Sequence, residues 1–167
     1  MIFDEKTILK AKLLTDLYFF TRYFYNKQTN SKFIRGQHFK TISDVLEKVY
    51  THEITRLVIN LPPRFGKTEV AVVNFIAKGL MINPKSKFIH TSYSDSLALE
   101  NSNKIRDLVK SESFQELCPI KIKSDTDSKA KWYTEQGGGV YATSSGGAIT
   151  GFGAGIVGYD GFGGAII

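Results

Sequence analysis

The sequence predicts an α/β domain, doubly wound, with a largely parallel central sheet flanked by helices. Three observations predict it. Apolar, β-branched runs near residues 55–61 and 87–93 alternate with long segments of helical periodicity. The first run passes through two prolines into Gly66-Lys67-Thr68 and then a helical pattern, the strand, loop and helix order that a phosphate-binding loop requires. Right-handed crossovers in such a sheet place a ligand at the carboxyl ends of its strands.

Residues 5–26 read as one helix whose apolar side chains, Leu13, Leu14, Leu17, Tyr18, Phe20, Tyr23 and Phe24, spread around several sides, the pattern of packing against more than one neighbour. An alternative use of this aromatic cluster, beside Arg22 and Lys27, is base stacking. A polar connector at 28–36 leads to a second helix at about 37–52, with Ile42, Val45, Leu46 and Val49 at helical spacing. After the loop, Val70, Val73, Ala77 and Leu80 form the apolar stripe of a helix over 67–82, ended by Asn83-Pro84. Lys87-Phe88-Ile89-His90-Thr91-Ser92-Tyr93 reads as a strand, Ser94 or Asp95 as the cap of a helix over 95–110, and 114–117 as a short helical turn. Short strands are expected at 120–123, 131–134 and 139–144.

The chain has 167 residues, enough for one domain, with 42% apolar and 23% charged residues, ordinary for a globular protein. Its formal charge of +6 fits either a polyanionic partner or simply a basic surface. Charges interrupt every candidate apolar span, so no membrane segment is expected, and the reading is intracellular. Cys118 is the single cysteine, which excludes an internal disulfide and reads as a small buried apolar residue. No lysine or arginine lies beyond Lys131, whereas all glycines except Gly36, Gly66 and Gly79 lie from Gly137 onward. That shift marks either a tail or a set of tight turns within the same domain.

The residues that carry chemistry cluster at the loop. Backbone N–H groups at a helix N-terminus favour anionic oxygens, and Lys67 there would reach the β/γ-phosphates of a nucleotide such as ATP while the Thr68 hydroxyl sits on Mg²⁺. Arg64 lies three residues earlier, placed to touch a γ-phosphate or to stand as a surface arginine. Glu69 reads as a helix-terminus acid rather than a base. Gln37 carries the donor and acceptor pair that an adenine edge needs, and equally suits a plain helix start. The general loop pattern wants glycine where Leu61 stands. An acid ending an apolar strand, needed to hold Mg²⁺ and orient water, does not appear: Asp160 follows a run broken by Gly158, and Phe162-Gly163-Gly164-Ala165-Ile166-Ile167 reads as the start of a strand without its acid.

Four stretches resemble the large terminase subunit of tailed bacteriophages, the motor that packages DNA. Pro62-Pro63-Arg64-Phe65-Gly66-Lys67-Thr68-Glu69 resembles that family's variant Walker A, which lacks the first glycine. Phe88 to Ser94 with the helix running to Arg106-Asp107 resembles its next strand and helix. Gly146-Gly147-Ala148-Ile149-Thr150-Gly151-Phe152-Gly153-Ala154-Gly155 is similar to its glycine-rich segment. Residues 162–167 resemble the lead-in to its Walker B aspartates.

The resemblance implies an ASCE-type P-loop ATPase, incomplete at its C-terminus. A full member of that family continues with Walker B acids, a coupling motif and an RNase H-like nuclease domain, and the expectation is that this chain departs from it there, with an N-terminal helical region at 1–53, an α/β core at 54–167 cut before Walker B, and no nuclease domain. ATP would be held by Pro63, Arg64, Phe65, Gly66, Lys67, Thr68, Glu69 and, less directly, Gln37. Mg²⁺ would sit on Thr68, and Arg64 and Lys67 would act on the phosphates. Arg106 is the candidate for an arginine acting across a homo-oligomeric ring. The implied partners are double-stranded DNA, the small terminase subunit and the portal of a procapsid, in the cytoplasm of a bacterial host and with no membrane. Two alternatives stand beside this: a prophage remnant that at most binds nucleotide or DNA, and another P-loop ATPase of helicase type.

Overall fold

The computed structural model describes residues 4–124, 128, 130–147 and 151–167. Helices α1 (Glu5–Thr15), α2 (Leu17–Thr29) and α3 (Gln37–Tyr50) precede the loop, and a π-helical stretch Glu69–Asn74 runs directly into α4 (Phe75–Ile82). Strand β1 (Lys87–Ser92), helices α5 (Asp95–Lys110) and α6 (Glu112–Gln115), and strands β2 (Lys131–Tyr133) and β3 (Gly139–Ser144) complete the order. The sheet is mixed, in the order β1-β3-β2: β1 pairs with β3 in parallel, Ile89 opposite Tyr141, and β2 pairs with β3 antiparallel.

The expected single helix over 5–26 is two helices, because Asp16 ends one and starts the next. The Asp16 amide donates to Lys12 O at 3.1 Å while its carboxylate accepts from Phe19 N at 2.8 Å, satisfying donors that an uninterrupted helix would leave to its own ladder. The break turns Leu13, Leu17, Phe20 and Phe24 into one core, where all four are fully buried. Helix α5 starts at Ser94, whose hydroxyl accepts from Leu97 N, and buries Ala98, Ile105, Leu108 and Val109. Over 120–123 the expected strand is reduced to a single bridge between Ile122 and Thr134. Cys118 is buried, and burial pushes its thiol pKa up, which keeps it unreactive.

The expected strand at 55–61 does not form. Residues 56–62 join no ladder or bridge, and Val58 is 83% exposed. Strands persist only where a neighbour satisfies their backbone groups, and the candidate neighbours are taken. One edge of β1 is paired with β3. The other accepts residues 163–167: Lys87 N donates to Gly163 O at 2.9 Å, Ile89 N to Ala165 O at 3.0 Å, and Ile167 N to Ile89 O at 2.8 Å. A cavity of about 730 Å³ is lined both by Leu57 and Ile59 and by residues 164–167, so the two segments border open space rather than each other.

In the core, α2, α3 and α4 pack on one another around the π-helical stretch, and α5 packs on β1 and β3. Trp132 of β2 is fully buried and donates its indole N–H to Ser102 Oγ of α5 at 3.1 Å. Phe162 packs edge-on to Tyr50, with ring centroids 4.8 Å apart, and clamps the C-terminal segment beside β1.

Candidate phosphate-binding site

The loop at 62–68 gets its shape from two residues in the left-handed region, Arg64 and Gly66, each at φ +68°. Glycine adopts that conformation freely; arginine does so at a cost of roughly 1–3 kcal/mol. A Cβ on Gly66 would come within 2.5 Å of Phe39 Cε1, so the ring forces backbone without a side chain at that point. Phe39 belongs to the first turn of α3, and its neighbour His38 packs edge-on against Phe65 with centroids 5.7 Å apart. Gln37, the first residue of that same helix, is solvent-exposed and lines neither of the two cavities described below.

Lys67 and Thr68 form the first helical turn after the loop, and both are exposed. They line the 730 Å³ cavity together with His90, Thr91, Ser92 and Asn101. Pro63, Arg64, Phe65 and Glu69 line a second, smaller cavity of about 400 Å³ that Lys67 and Thr68 also border. Lys104 of α5, ion-paired to Glu100 at 2.6 Å, reaches this second cavity. Arg106 sits half-buried one turn short of the end of α5 and borders neither. Of the residues lining the two cavities, Glu69 alone is acidic. Its carboxylate accepts from Asn74 Nδ2 at 2.8 Å, and Asn74 also donates to Glu69 O at 2.8 Å. Those bonds tie the acid into the π-helical turn.

Within β1, His90 is 4% exposed, and Asn101 Nδ2 lies 3.1 Å from its Nε2. Burial lowers the His90 pKa, opposed by the nearby backbone of Ile167, so the ring is held neutral. Sequence reading gave His90 only a place in a strand; the Asn101 contact, 11 positions on, is what turns it into part of a site. Of the glycine-rich segment at 146–155, Ala148, Ile149 and Thr150 lie outside the described residues. Among the described residues, no group of three or more His, Cys, Asp or Glu side chains gathers as for a metal ion, and no helix is long and apolar enough to cross a membrane.

Thr68 supplies one hydroxyl, which fits Mg²⁺ only in its usual nucleotide-bound form, with phosphates and waters completing the shell. The chain matches no family model, no curated protein and no solved structure.

Proposed function

We propose that this chain binds a nucleoside triphosphate at the 62–68 loop and is the ATP-binding N-terminal portion of a terminase large subunit. In complete form such a subunit couples ATP hydrolysis to the movement of double-stranded DNA into a procapsid. The observation that carries the reading is the loop itself: Lys67 and Thr68 on the first turn of a helix, behind left-handed Arg64 and Gly66, facing an open cavity. Exposed backbone donors and a lysine at one helix end attract phosphate oxygens. The family assignment rests on the sequence motifs around that loop.

Within this reading Lys67 binds the phosphates, Arg64 stands at the loop's outer cavity to touch the terminal one, and Thr68 holds the metal. Bound Mg²⁺ would neutralise charge on the phosphates. Gln37, which borders neither cavity but lies two residues before the Phe39 that packs against Gly66, is the proposed adenine contact, and Arg106, half-buried on α5, fits a role across subunits less well than Lys104 does by position.

A second reading has its own observation. With Glu69 tied to Asn74 and no other acid lining either cavity, the described residues offer no group to orient an attacking water. The chain on its own then holds ATP without turning it over, as a remnant of such a motor would. A helicase-type P-loop ATPase shares the loop but not the flanking motifs.

Calorimetry tests the site. Wild type is expected to bind Mg-ATP and Lys67→Ala to lose measurable binding, with little phosphate released by either. Equal affinities in the two proteins would remove Lys67 from the site, and turnover at the rate of an intact motor would remove the second reading. Binding to duplex DNA is expected to be electrostatic, weakening steeply with salt and indifferent to sequence.

A further inference from the structure

Three cations border the smaller cavity, and only two of them belong to the loop. Arg64 and Lys67 come from residues 62–68, whereas Lys104 comes from α5, beyond β1 in the chain. Helix α5 packs along the π-helical stretch that follows the loop. Its residues Leu97, Asn101 and Lys104 stand at i, i+4 and i+7, which places them on one face of the helix. Leu97 and Asn101 border the larger cavity and Lys104 the smaller, so that face runs past both.

Only Glu69 is acidic among the residues bordering the smaller cavity, and Asn74 already donates to its carboxylate. Among the described residues, Arg64 and Lys67 form no ion pair, and Lys104 pairs with Glu100, one turn back on α5, at 2.6 Å. That pair is solvated, with 53% of the lysine and 59% of the glutamate side chain exposed. An exposed i, i+4 contact of this kind is weak enough for a multiply charged anion to displace. An ammonium also carries three donors, of which Glu100 takes one. Two separate elements thus bring three positive groups to one cavity whose single acid is engaged elsewhere, a charge pattern complementary to several phosphate oxygens at once.

We propose that Lys104 is a third phosphate-contacting side chain of this site, leaving Glu100 to donate to the terminal phosphate of a nucleoside triphosphate bound at the loop of its own chain. The proposal rests on the nucleotide-binding reading of the loop and deepens it. Arg64 and Lys104 share the cavity in which that reading puts the terminal phosphate, so both distinguish a triphosphate from a diphosphate. Glu100 is then a competitor for the lysine in the empty site and is freed when the triphosphate binds. The state of the nucleotide is carried to α5 as the breaking of one ion pair.

Mg-ATP and Mg-ADP affinities are measured by calorimetry at one salt concentration and two protein concentrations. The proteins are wild type, Lys104→Gln, Glu100→Gln, the double variant and Lys67→Ala, each checked for folding by circular dichroism. Lys104→Gln is expected to bind ATP about tenfold more weakly, as for loss of one hydrogen bond to a charged group, and ADP within about twofold of wild type. Glu100→Gln should tighten ATP binding roughly twofold by removing the competitor, and the double variant should show none of that gain.

Unchanged ATP affinity in Lys104→Gln, or an equal loss for ATP and ADP, would overturn the proposal. So would a gain from Glu100→Gln that persists without Lys104, because it would mark a general effect of surface charge. A loss in Lys104→Gln that appears only at the higher protein concentration would assign the contact to a neighbouring copy and overturn it equally. Loss of binding in Lys67→Ala with none in Lys104→Gln sinks this inference and leaves the nucleotide reading intact; no ATP binding by wild type sinks both.

Discussion

Lys78 of α4 is fully buried and its ammonium pairs with the Glu47 carboxylate of α3, with Tyr50's ring 4.6 Å below the nitrogen. Glu47 Oε1 also accepts from Leu17 N at 2.5 Å, so one carboxylate joins the first turn of α2, the last turn of α3 and α4. The lysine has no exposed surface, whereas 27% of the glutamate side chain meets solvent. Burial lowers the Lys78 pKa against the opposing pull of Glu47, so the pair does not fully offset the loss of water. The two partners are therefore unequal. Glu47→Ala strands a buried ammonium and should destabilise by about 3–5 kcal/mol, whereas Lys78→Met leaves a half-hydrated acid and should cost about 1 kcal/mol or less. Urea unfolding of both variants measures this; equal losses would contradict the asymmetry.

Arg64 holds a left-handed conformation that glycine would adopt without strain. Arg64→Gly is accordingly expected to leave stability unchanged or raise it by up to about 1 kcal/mol, while weakening ATP binding. A variant that lost stability and kept its affinity would show that the guanidinium serves the fold and not the ligand.

Gly66 is closed to larger residues twice over, by its φ of +68° and by Phe39. Gly66→Ala should destabilise by roughly 1–3 kcal/mol and displace the loop. Adding Phe39→Leu should recover the steric part and leave the conformational part. No recovery in the double variant, read from thermal melts, would mean that the ring is not what the Cβ meets.

Legibility in the sequence followed the range of the interactions. Helix α5 and strand β3 were readable residue for residue, because Ser94 marks its own helix start and the β-branched and aromatic residues Val140, Tyr141 and Thr143 favour a strand locally. The break at Asp16 had a signal, an N-capping residue type before Leu17, but the apolar residues on both sides overrode it. The strand at 55–61 had every local preference for its state and failed for want of a neighbour, since residues 163–167 hold the free edge of β1. The same division runs through the site. Gly66-Lys67-Thr68 is contiguous and could be read; Phe39 beneath Gly66, and Asn101 against His90, are joined only by folding.

His90 also predicts a pH dependence that needs no ligand. Its folded-state pKa lies below the ordinary 6.5 because burial disfavours the imidazolium, with the Ile167 backbone opposing and Lys67 sharing the cavity. Below pH 6.5 the unfolded chain takes up a proton that the folded chain resists, so protons favour unfolding in that range. The contribution is complete above pH 6.5 and is lost as pH falls through the lower, folded-state value. His90→Asn keeps an amide in the ring's place and has nothing to titrate. The stability of wild type relative to His90→Asn, from urea midpoints taken between pH 8 and pH 5, should therefore be flat above about pH 7 and decline toward pH 5. A difference that stayed level, or grew in wild type's favour under acid, would mean that the folded ring accepts its proton as readily as the unfolded one, and that His90 is not held neutral against Asn101.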